Sequence, residues 1–239
     1  LVGKGRMEEP EKIVEVLETF FARAEDLKGK HILITAGPTY EKIDPVRFIG
    51  NYSSGKMGYA LAEACARRGA DVTLISGPVA LQVQHPAIRR IDVESAEQMY
   101  QAAIRLYPQA NAGILCAAVA DFTPETVASN KIKREGEDLI VRLKPTQDIA
   151  AALGKIKRPD QRLVGFALET YDEQIHAQEK RKRKNFDFIV LNSLNDAGAG
   201  FRCDTNKITI LDESGITPYP LKDKHEVASD IIDKLSAIL

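Results

Sequence analysis

The stretch Asn51-Tyr-Ser-Ser-Gly-Lys-Met-Gly58 decides the interpretation of this sequence, because it is typical of a loop that turns into a helix. The helical pattern continues over 59–68 and stops at Gly69, and the apolar run 71–76 then indicates a buried strand. A helix start leaves its first N–H groups unpaired and carries partial positive charge. Glycines let a ligand approach the backbone, and the lysine adds a full charge. The stretch therefore predicts a phosphate-binding site.

Apolar runs alternate with helical patterns along the chain. The predicted strands are 30–35, 71–76, 89–93, 112–119, 138–143, 163–168 and 186–191. The predicted helices after the opening stretch are 95–107, 148–156, 172–185 and 227–239, with a hairpin over 207–220. This alternation predicts an α/β, Rossmann-like fold with a mostly parallel sheet covered by helices. Ligands bind beyond the carboxyl ends of such strands, where the loops 36–55, 117–134 and 166–170 should meet.

Composition limits the class of protein and its surroundings. The chain has 239 residues and a net charge of -1, so no global basic field favours nucleic acid or an anionic membrane. No apolar run approaches the ~20 residues of a membrane span, and no signal peptide is visible. The three cysteines are odd in number and lack paired metal-ligand spacing, which fits the reducing cytoplasm that we predict for this protein. Cys65 and Cys116 fall on apolar stretches and are interpreted as small core residues. Scattered histidines and cysteines give no zinc pattern.

The distribution of apolar and polar residues divides the chain into two regions. Residues 1–27 are predicted to form a linker and an amphipathic helix over 11–26, and residues 28–239 a single domain. The polar segment 121–137 has little periodicity and is interpreted as a mobile flap.

A P-loop is one alternative interpretation of the opening stretch. Residues 50–56 place two glycines and a lysine at P-loop spacing, but Met57 stands where a P-loop has the serine or threonine that holds magnesium. The preceding strand also ends some fifteen positions too early. A P-loop NTPase is therefore disfavoured.

A dinucleotide-dependent reductase is a second alternative. The strand–loop–helix–strand order favours it, but no Gly-x-Gly-x-x-Gly follows the first strand. The second strand ends at Ser76-Gly-Pro78, without the acidic residue that would hold a ribose diol. No Tyr-x-x-x-Lys pair for hydride chemistry is visible.

The unusual segments together resemble phosphopantothenoylcysteine synthetase, the phosphopantothenate–cysteine ligase family of coenzyme A biosynthesis. The segments that carry this resemblance are Gly37–Thr39, Asp44–Arg47, Asn51–Gly58, Ala117–Phe122, Lys131–Lys133, Gly165–Thr170, Lys180 and Lys184. The resemblance covers residues 28–235. Residues 5–10 also resemble the junction in bacterial bifunctional proteins, where a flavin-dependent decarboxylase precedes the ligase. The resemblance thus implies fusion to such a decarboxylase, and no flavin in this chain.

The resemblance implies an activity. The ligase would join 4′-phosphopantothenate to L-cysteine through an acyl-cytidylate, consuming CTP with Mg²⁺ and releasing CMP and pyrophosphate. It would be a homodimer, and the metal ligands are not identified. Two other classes stay open at this point: a nucleotide-binding regulatory module without turnover, and an NAD(P)-dependent reductase.

The resemblance also implies the site residues. Asn51 and Lys131 would be catalytic, and Asn51, Ala117 and Ala118 would bind the substrate. The implied nucleotide-binding residues are Gly37, Ser53, Ser54, Gly55, Lys56, Asp121, Lys131, Gln147, Asp148, Ile149, Ala150, Phe166, Lys180 and Lys184.

Overall fold

The computed structural model describes residues 8–14, 17, 25–134, 136, 138–169, 171–193 and 203–239. Residues 10–14 and 17 are helical, and 25–26 form a turn; the rest of the helix predicted over 11–26 lies outside the described residues, as do residues 1–7 of the predicted linker. The part of the chain that the structure describes has no helix long and apolar enough to cross a membrane.

The elements occur in alternating order along the chain. The strands are β1 (His31–Ala36), β2 (Tyr40–Lys42), β3 (Phe48–Gly50), β4 (Asp71–Ser76), β5 (Ile88–Asp92), β6 (Ala112–Leu115), β7 (Phe122–Pro124), β8 (Leu143–Pro145), β9 (Arg162–Glu169), β10 (Phe188–Ser193), β11 (Thr205–Asn206), β12 (Ile208–Leu211), β13 (Ile216–Pro218) and β14 (Lys222–Asp223). The helices are α1 (Lys56–Arg67), α2 (Ala96–Leu106), α3 (Ile149–Ile156), α4 (Glu173–Arg183) and α5 (Lys224–Ser236).

The main sheet has the strand order β5-β4-β1-β6-β9-β10-β12-β13. The strands from β5 to β10 are parallel, and β12 and β13 add an antiparallel hairpin at one edge. The predicted fold class and hairpin are therefore confirmed. Strand order reverses between β1 and β6, which is the point where open α/β sheets bind ligands.

Alternate residues of the strands enter two separate cores. Ile32 and Ile34 of β1 pack in the cluster that contains α1 and α5, whereas Leu33 packs with α2 on the other face. All three side chains are fully buried. Because a sheet covered on both faces exposes neither, its strands read as continuous apolar runs, which explains why the sequence marked them clearly.

Glycines allow α1 to lie close to β1. Gly55, the residue before α1, has φ +78°, a left-handed conformation that favours glycine. At Gly58 an added Cβ would lie 2.5 Å from the Cβ of Ala36, so a side chain there would force the helix away from the strand. The opening stretch thus brings the start of α1 to the carboxyl end of β1.

The structure corrects several predicted bounds. The strand predicted over 112–119 ends at Leu115, because the chain leaves the sheet at its carboxyl edge. The strand predicted over 138–143 is wrong: the observed strand is β8, which pairs with β7 outside the main sheet. A hairpin of β2 and β3 occupies a region that the sequence left irregular, stabilised by the rings of Tyr40 and Phe48 stacked with centroids 3.9 Å apart.

Candidate functional site

A cleft of about 770 Å³ lies at the carboxyl edge of the sheet, beside the switch point between β1 and β6. Its volume is in the range of small-molecule sites. The predicted site residues that line it are Asn51, Ser53, Ser54, Gly55, Lys56, Ala117, Ala118, Asp121, Gln147, Asp148, Ile149, Ala150, Phe166, Lys180 and Lys184. Segments far apart in sequence thus meet in one cleft.

The start of α1 forms one end of the cleft. The hydroxyl of Ser53 accepts a hydrogen bond of 3.3 Å from the backbone N–H of Gly55. Lys56 forms an ion pair with Asp204, with Nζ and Oδ1 2.6 Å apart. A helix start beside a lysine is a site that favours an anion.

Asn51 lies between this helix start and the loop that follows β6. Its Nδ2 donates to the carbonyl oxygens of Ala118 at 3.0 Å and Val119 at 3.3 Å. The same loop is tied to β1 and its following turn, since the N–H of Ala120 donates to the Thr39 hydroxyl at 2.9 Å. Asn51 is therefore held over the backbone that ends β6.

The other end of the cleft is built by α3 and α4. Lys180 donates to the backbone oxygen of Phe166 at 2.9 Å, and Lys184 donates to Asp148, which caps α3 through the N–H of Ala151. Desolvation opposes ionisation of Asp148, but the hydrogen bonds from Lys184 and from the N–H of Ala151, together with the charges of Lys184 and Arg183, outweigh it and lower the pKa of its carboxyl. This end is therefore cationic but contains one ionised carboxylate.

Two predicted site residues do not line the cleft. Gly37 is buried beneath it with φ +77°, and an added Cβ would lie 3.1 Å from the Cγ1 of Val79, so it serves close packing of loops. Lys131 is exposed. The neighbouring Ile132 is bound by its N–H to Asp44 at 3.1 Å and by its oxygen to Arg47 at 2.9 Å. The backbone next to Lys131 therefore binds the turn between β2 and β3, and Lys131 is not among the residues that line the cleft.

The structure adds residues to the cleft that the sequence analysis missed. These are Thr35, Met57, Gly58, Leu115, Cys116, Val119, Thr146, Ala167, Leu168, Arg183, Phe186, Asn192, Ser193, Asn206 and Lys224. Asn192 and Ser193 end β10, so their position at a carboxyl strand end was a usable signal. Lys224 had no such signal, because a lysine after a capping aspartate usually lies on the surface.

A magnesium site can be tested against the donors present. Among the described residues, no group of three or more His, Cys, Asp or Glu side chains could hold a metal ion. Asp121 and Asp148 line the cleft, and Asp148 is already bound to Lys184. Mg²⁺ commonly takes one or two carboxylates and completes its shell with phosphates and water. The carboxylate of Asp121 would therefore be available to a magnesium ion that arrives with a polyphosphate.

Comparison with known proteins shows the family. Residues 27–239 match the family described as DNA/pantothenate metabolism flavoprotein C-terminal domain. The chain is 53% identical over 244 residues to a protein of an unknown prokaryotic organism named cysteine/cysteine sulfinic acid decarboxylase, covering 100% of this chain and 68% of that protein. It is 47% identical over 240 residues to the coenzyme A biosynthesis bifunctional protein CoaBC of Bacillus subtilis (strain 168), covering 99% of this chain and 59% of the relative.

Solved structures show the same fold. The crystal structure of the C-terminal domain of coenzyme A biosynthesis bifunctional protein CoaBC is 41% identical, with a TM-score of 0.77, covering 90% of this chain and 97% of that one. A DNA/pantothenate metabolism flavoprotein from Streptococcus pneumoniae shares the fold at 24% identity and a TM-score of 0.76, covering 88% of this chain and 100% of that one.

Proposed function

The chain belongs to the family of DNA/pantothenate metabolism flavoprotein C-terminal domains, and from this premise we propose that it is a phosphopantothenate–cysteine ligase of coenzyme A biosynthesis. The observation that carries the proposal is the cleft at the sheet switch point, which is lined by the start of α1, Asn51, the loop after β6 and the lysines at the end of α4. The chain spans 59% of the length of the Bacillus subtilis relative.

The first step activates the carboxylate of 4′-phosphopantothenate. One carboxylate oxygen forms a bond to the α-phosphorus of CTP, the bond from that phosphorus to the bridging oxygen breaks, and pyrophosphate leaves with the electron pair. Since an anion approaches a polyanion, catalysis here depends on positioning and on charge neutralisation. The start of α1 with Lys56, and the cationic end with Lys180 and Lys184, supply the positive charge.

The second step forms the amide. The amine of L-cysteine attacks the acyl carbon, CMP leaves with the former carboxylate oxygen, and the ammonium proton is released to solvent. Asn51 is neutral and can donate to the acyl oxygen without adding charge. To do so, it must exchange at least one of its hydrogen bonds to Ala118 and Val119 for one to the substrate.

Flap closure completes the proposed site. We propose the catalytic role for Lys131 that the resemblance implies, and the turn at Asp44 and Arg47 binds the backbone of the adjacent Ile132. Movement of this segment would bring the lysine toward the triphosphate and exclude water from a reactive acyl phosphate. Gly37 would support nucleotide binding indirectly, through the loop packing beneath Gly55.

Nucleotide and metal choice belong to the same proposal. CTP is favoured over ATP because the sequence resembles the bacterial form of the family, which uses CTP. The identity of 47% to the bacterial CoaBC supports this choice. Mg²⁺ bound through Asp121 and the phosphates would screen the triphosphate charge.

The wider setting is also proposed. We place the ligase domain at residues 28–239 of a longer cytoplasmic protein that carries a flavin-dependent decarboxylase, because the chain covers 59% of the bifunctional relative. A homodimer is supported by exposed apolar side chains in the turn and strands of β2–β3 and in the strand pair β7–β8, at Val46, Phe48, Phe122 and Leu143.

The test is direct: the protein is incubated with 4′-phosphopantothenate, L-cysteine, CTP and Mg²⁺, and the amide product is measured by mass spectrometry. Product that depends on all three substrates is expected. Binding of CTP without amide product would favour the regulatory module. Oxidation of NADPH in a separate incubation would favour the reductase.

A further inference from the structure

Two helices begin at the same end of the cleft. α1 begins at Lys56 and α5 begins at Lys224, and both residues line the cleft. The helices run side by side in the same direction, since Arg68, just beyond α1, bonds Asp233 near the end of α5 at 2.7 Å. Their partial positive ends therefore add at one place.

Lys224 is an unusual lysine for a helix start. Only 6% of it is exposed, and its amine donates to the backbone oxygen of Cys203. Burial, and next the charge of Lys56, lower the pKa of its ammonium group. A buried cation beside a second cation is stabilised by an anion that contacts both.

Asp204 is the anion now at this place. Its carboxylate pairs with Lys56 and its backbone oxygen accepts from the N–H of Lys224 at 2.9 Å. Its side chain is 80% exposed, so this pair is weak and exchangeable.

Neutral donors complete the same end. Asn206 and Asn192 line the cleft, and Nδ2 of Asn206 lies 3.4 Å from Oδ1 of Asn192. Ser53, Ser54 and Gly55 also line the cleft, at the start of α1. The carboxylate of Asp223 caps α5 but does not line the cleft.

We propose that Lys56 and Lys224 together form the subsite for the leaving pyrophosphate, and that Asp204 is the competing carboxylate which the polyphosphate displaces from Lys56. This inference rests on the proposed ligase function. When the bond to the α-phosphorus breaks, its electron pair stays on a pyrophosphate oxygen. The two lysines neutralise that charge, and Asp204 returns to Lys56 as pyrophosphate departs.

The test measures binding of pyrophosphate with Mg²⁺, and separately of CMP, by calorimetry. In Lys224→Met the dissociation constant for pyrophosphate should rise about tenfold or more, the equivalent of one charge-assisted hydrogen bond. Binding of CMP should be unchanged, because CMP lacks the β- and γ-phosphates. Lys224→Arg should retain most of the affinity. Lys222→Met is the matched control, since Lys222 pairs with Asp230 outside the cleft lining and its loss should change neither affinity.

Asp204→Asn gives an independent test on an exposed side chain, and it decides the matter where Lys224→Met does not fold. Removing the competing carboxylate should tighten pyrophosphate binding about threefold or more. Unchanged pyrophosphate affinity in either folded variant, or an equal loss of CMP binding in Lys224→Met, would overturn the inference.

The same measurements separate this inference from the proposed function. If the wild-type protein forms no amide but the variants show these affinity changes, the ligase function is contradicted and the pyrophosphate subsite stands. Amide formation by the wild type, with unchanged pyrophosphate affinities in the variants, would support the ligase and contradict the pyrophosphate subsite.

Discussion

At the scale of single residues, Asn51 connects the helix start to the backbone after β6. Asn51→Asp would replace the amide donor with a carboxylate facing the oxygens of Ala118 and Val119 and the substrate carboxylate. We expect kcat/KM for amide formation to fall about 100-fold or more, the scale of one lost transition-state donor. The melting temperature should change little, because Asn51 is exposed. The control is Tyr52→Phe at the neighbouring position, which should keep the wild-type kcat/KM. A wild-type kcat/KM in Asn51→Asp would show that Asn51 takes no part in the chemistry.

The cysteines give a prediction about reactivity. Burial raises the pKa of both Cys65 and Cys116 to about 12, whereas Cys203 is exposed. Since the thiolate is the nucleophile, iodoacetamide at pH 8 should label Cys203 and leave the other two unmodified. Peptide mass spectrometry after labelling checks this. Comparable labelling of Cys116 would mean that the cleft activates its thiol.

Residue roles could be predicted from the sequence only where a motif carried them. The stretch that contains Asn51 and Lys56 was identified from its glycines and lysine, and both residues line the cleft. Lys224 was not, because its burial depends on pairing of β11 with β14 and on its contact with Cys203, which local sequence does not encode. The segment that contains Lys131 is held by hydrogen bonds between the backbone of Ile132 and the side chains of Asp44 and Arg47, and no local sequence pattern indicated these contacts.

At the scale of elements, contact between α1 and β1 depends on Gly58. An alanine Cβ there would lie 2.5 Å from the Cβ of Ala36, and overpacking of this kind costs about 1–3 kcal/mol. We expect Gly58→Ala to lower the free energy of unfolding in urea by about that amount. Arg67→Ala, on the exposed last turn of the same helix, should change it by less than about 0.5 kcal/mol. Undiminished stability in Gly58→Ala would show that α1 can shift freely.

A second element-scale prediction concerns pH. Asp212, in the turn between β12 and β13, pairs with Lys234 of α5. Desolvation acts against ionisation, but hydrogen bonds from Lys234 and Ser214 outweigh it and lower the pKa of Asp212 to about 2. Because this folded-state pKa is below the unfolded value, the stabilisation is complete above about pH 4 and is lost as the pH falls toward 2.

Asp212→Asn should therefore lower the free energy of unfolding by about 1–2 kcal/mol at pH 7, after allowance for solvent screening. The difference from the wild type should shrink toward zero near pH 2, in urea unfolding at a series of pH values. Glu213→Gln, at the exposed next position, is the control. A difference that does not depend on pH would contradict the ion pair as its source.

Buried strands could be predicted from the sequence more accurately than short, exposed ones. The inner strands β1, β4 and β10 of the main sheet are mostly buried, and the sequence predicted each of them within two residues of its observed bounds. Short pairs such as β2–β3 and β7–β8 have three residues each and exposed side chains, so neither length nor periodicity identified them. Their pairing depends on contacts between segments, which a local pattern does not contain.

At the scale of the whole molecule, strand order determines where chemistry can occur. The reversal at β1 and β6 opens a crevice into which α1, the loop after β6, α3 and α4 all direct residues. The sequence predicted this edge because parallel strands place their carboxyl ends together. The position of the flap was not predictable, because it depends on which contacts 128–132 make with the turn at 43–47.

The central claim is that a carboxylate of phosphopantothenate is activated by transfer to the nucleotide within this cleft. The most direct measurement uses 4′-phosphopantothenate labelled with ¹⁸O in its carboxylate, with CTP, Mg²⁺ and L-cysteine, and mass spectrometry of the released CMP. An acyl-cytidylate requires one ¹⁸O atom in the phosphate of each CMP and one retained in the amide. CMP without ¹⁸O, or amide formation without CMP, would contradict the account.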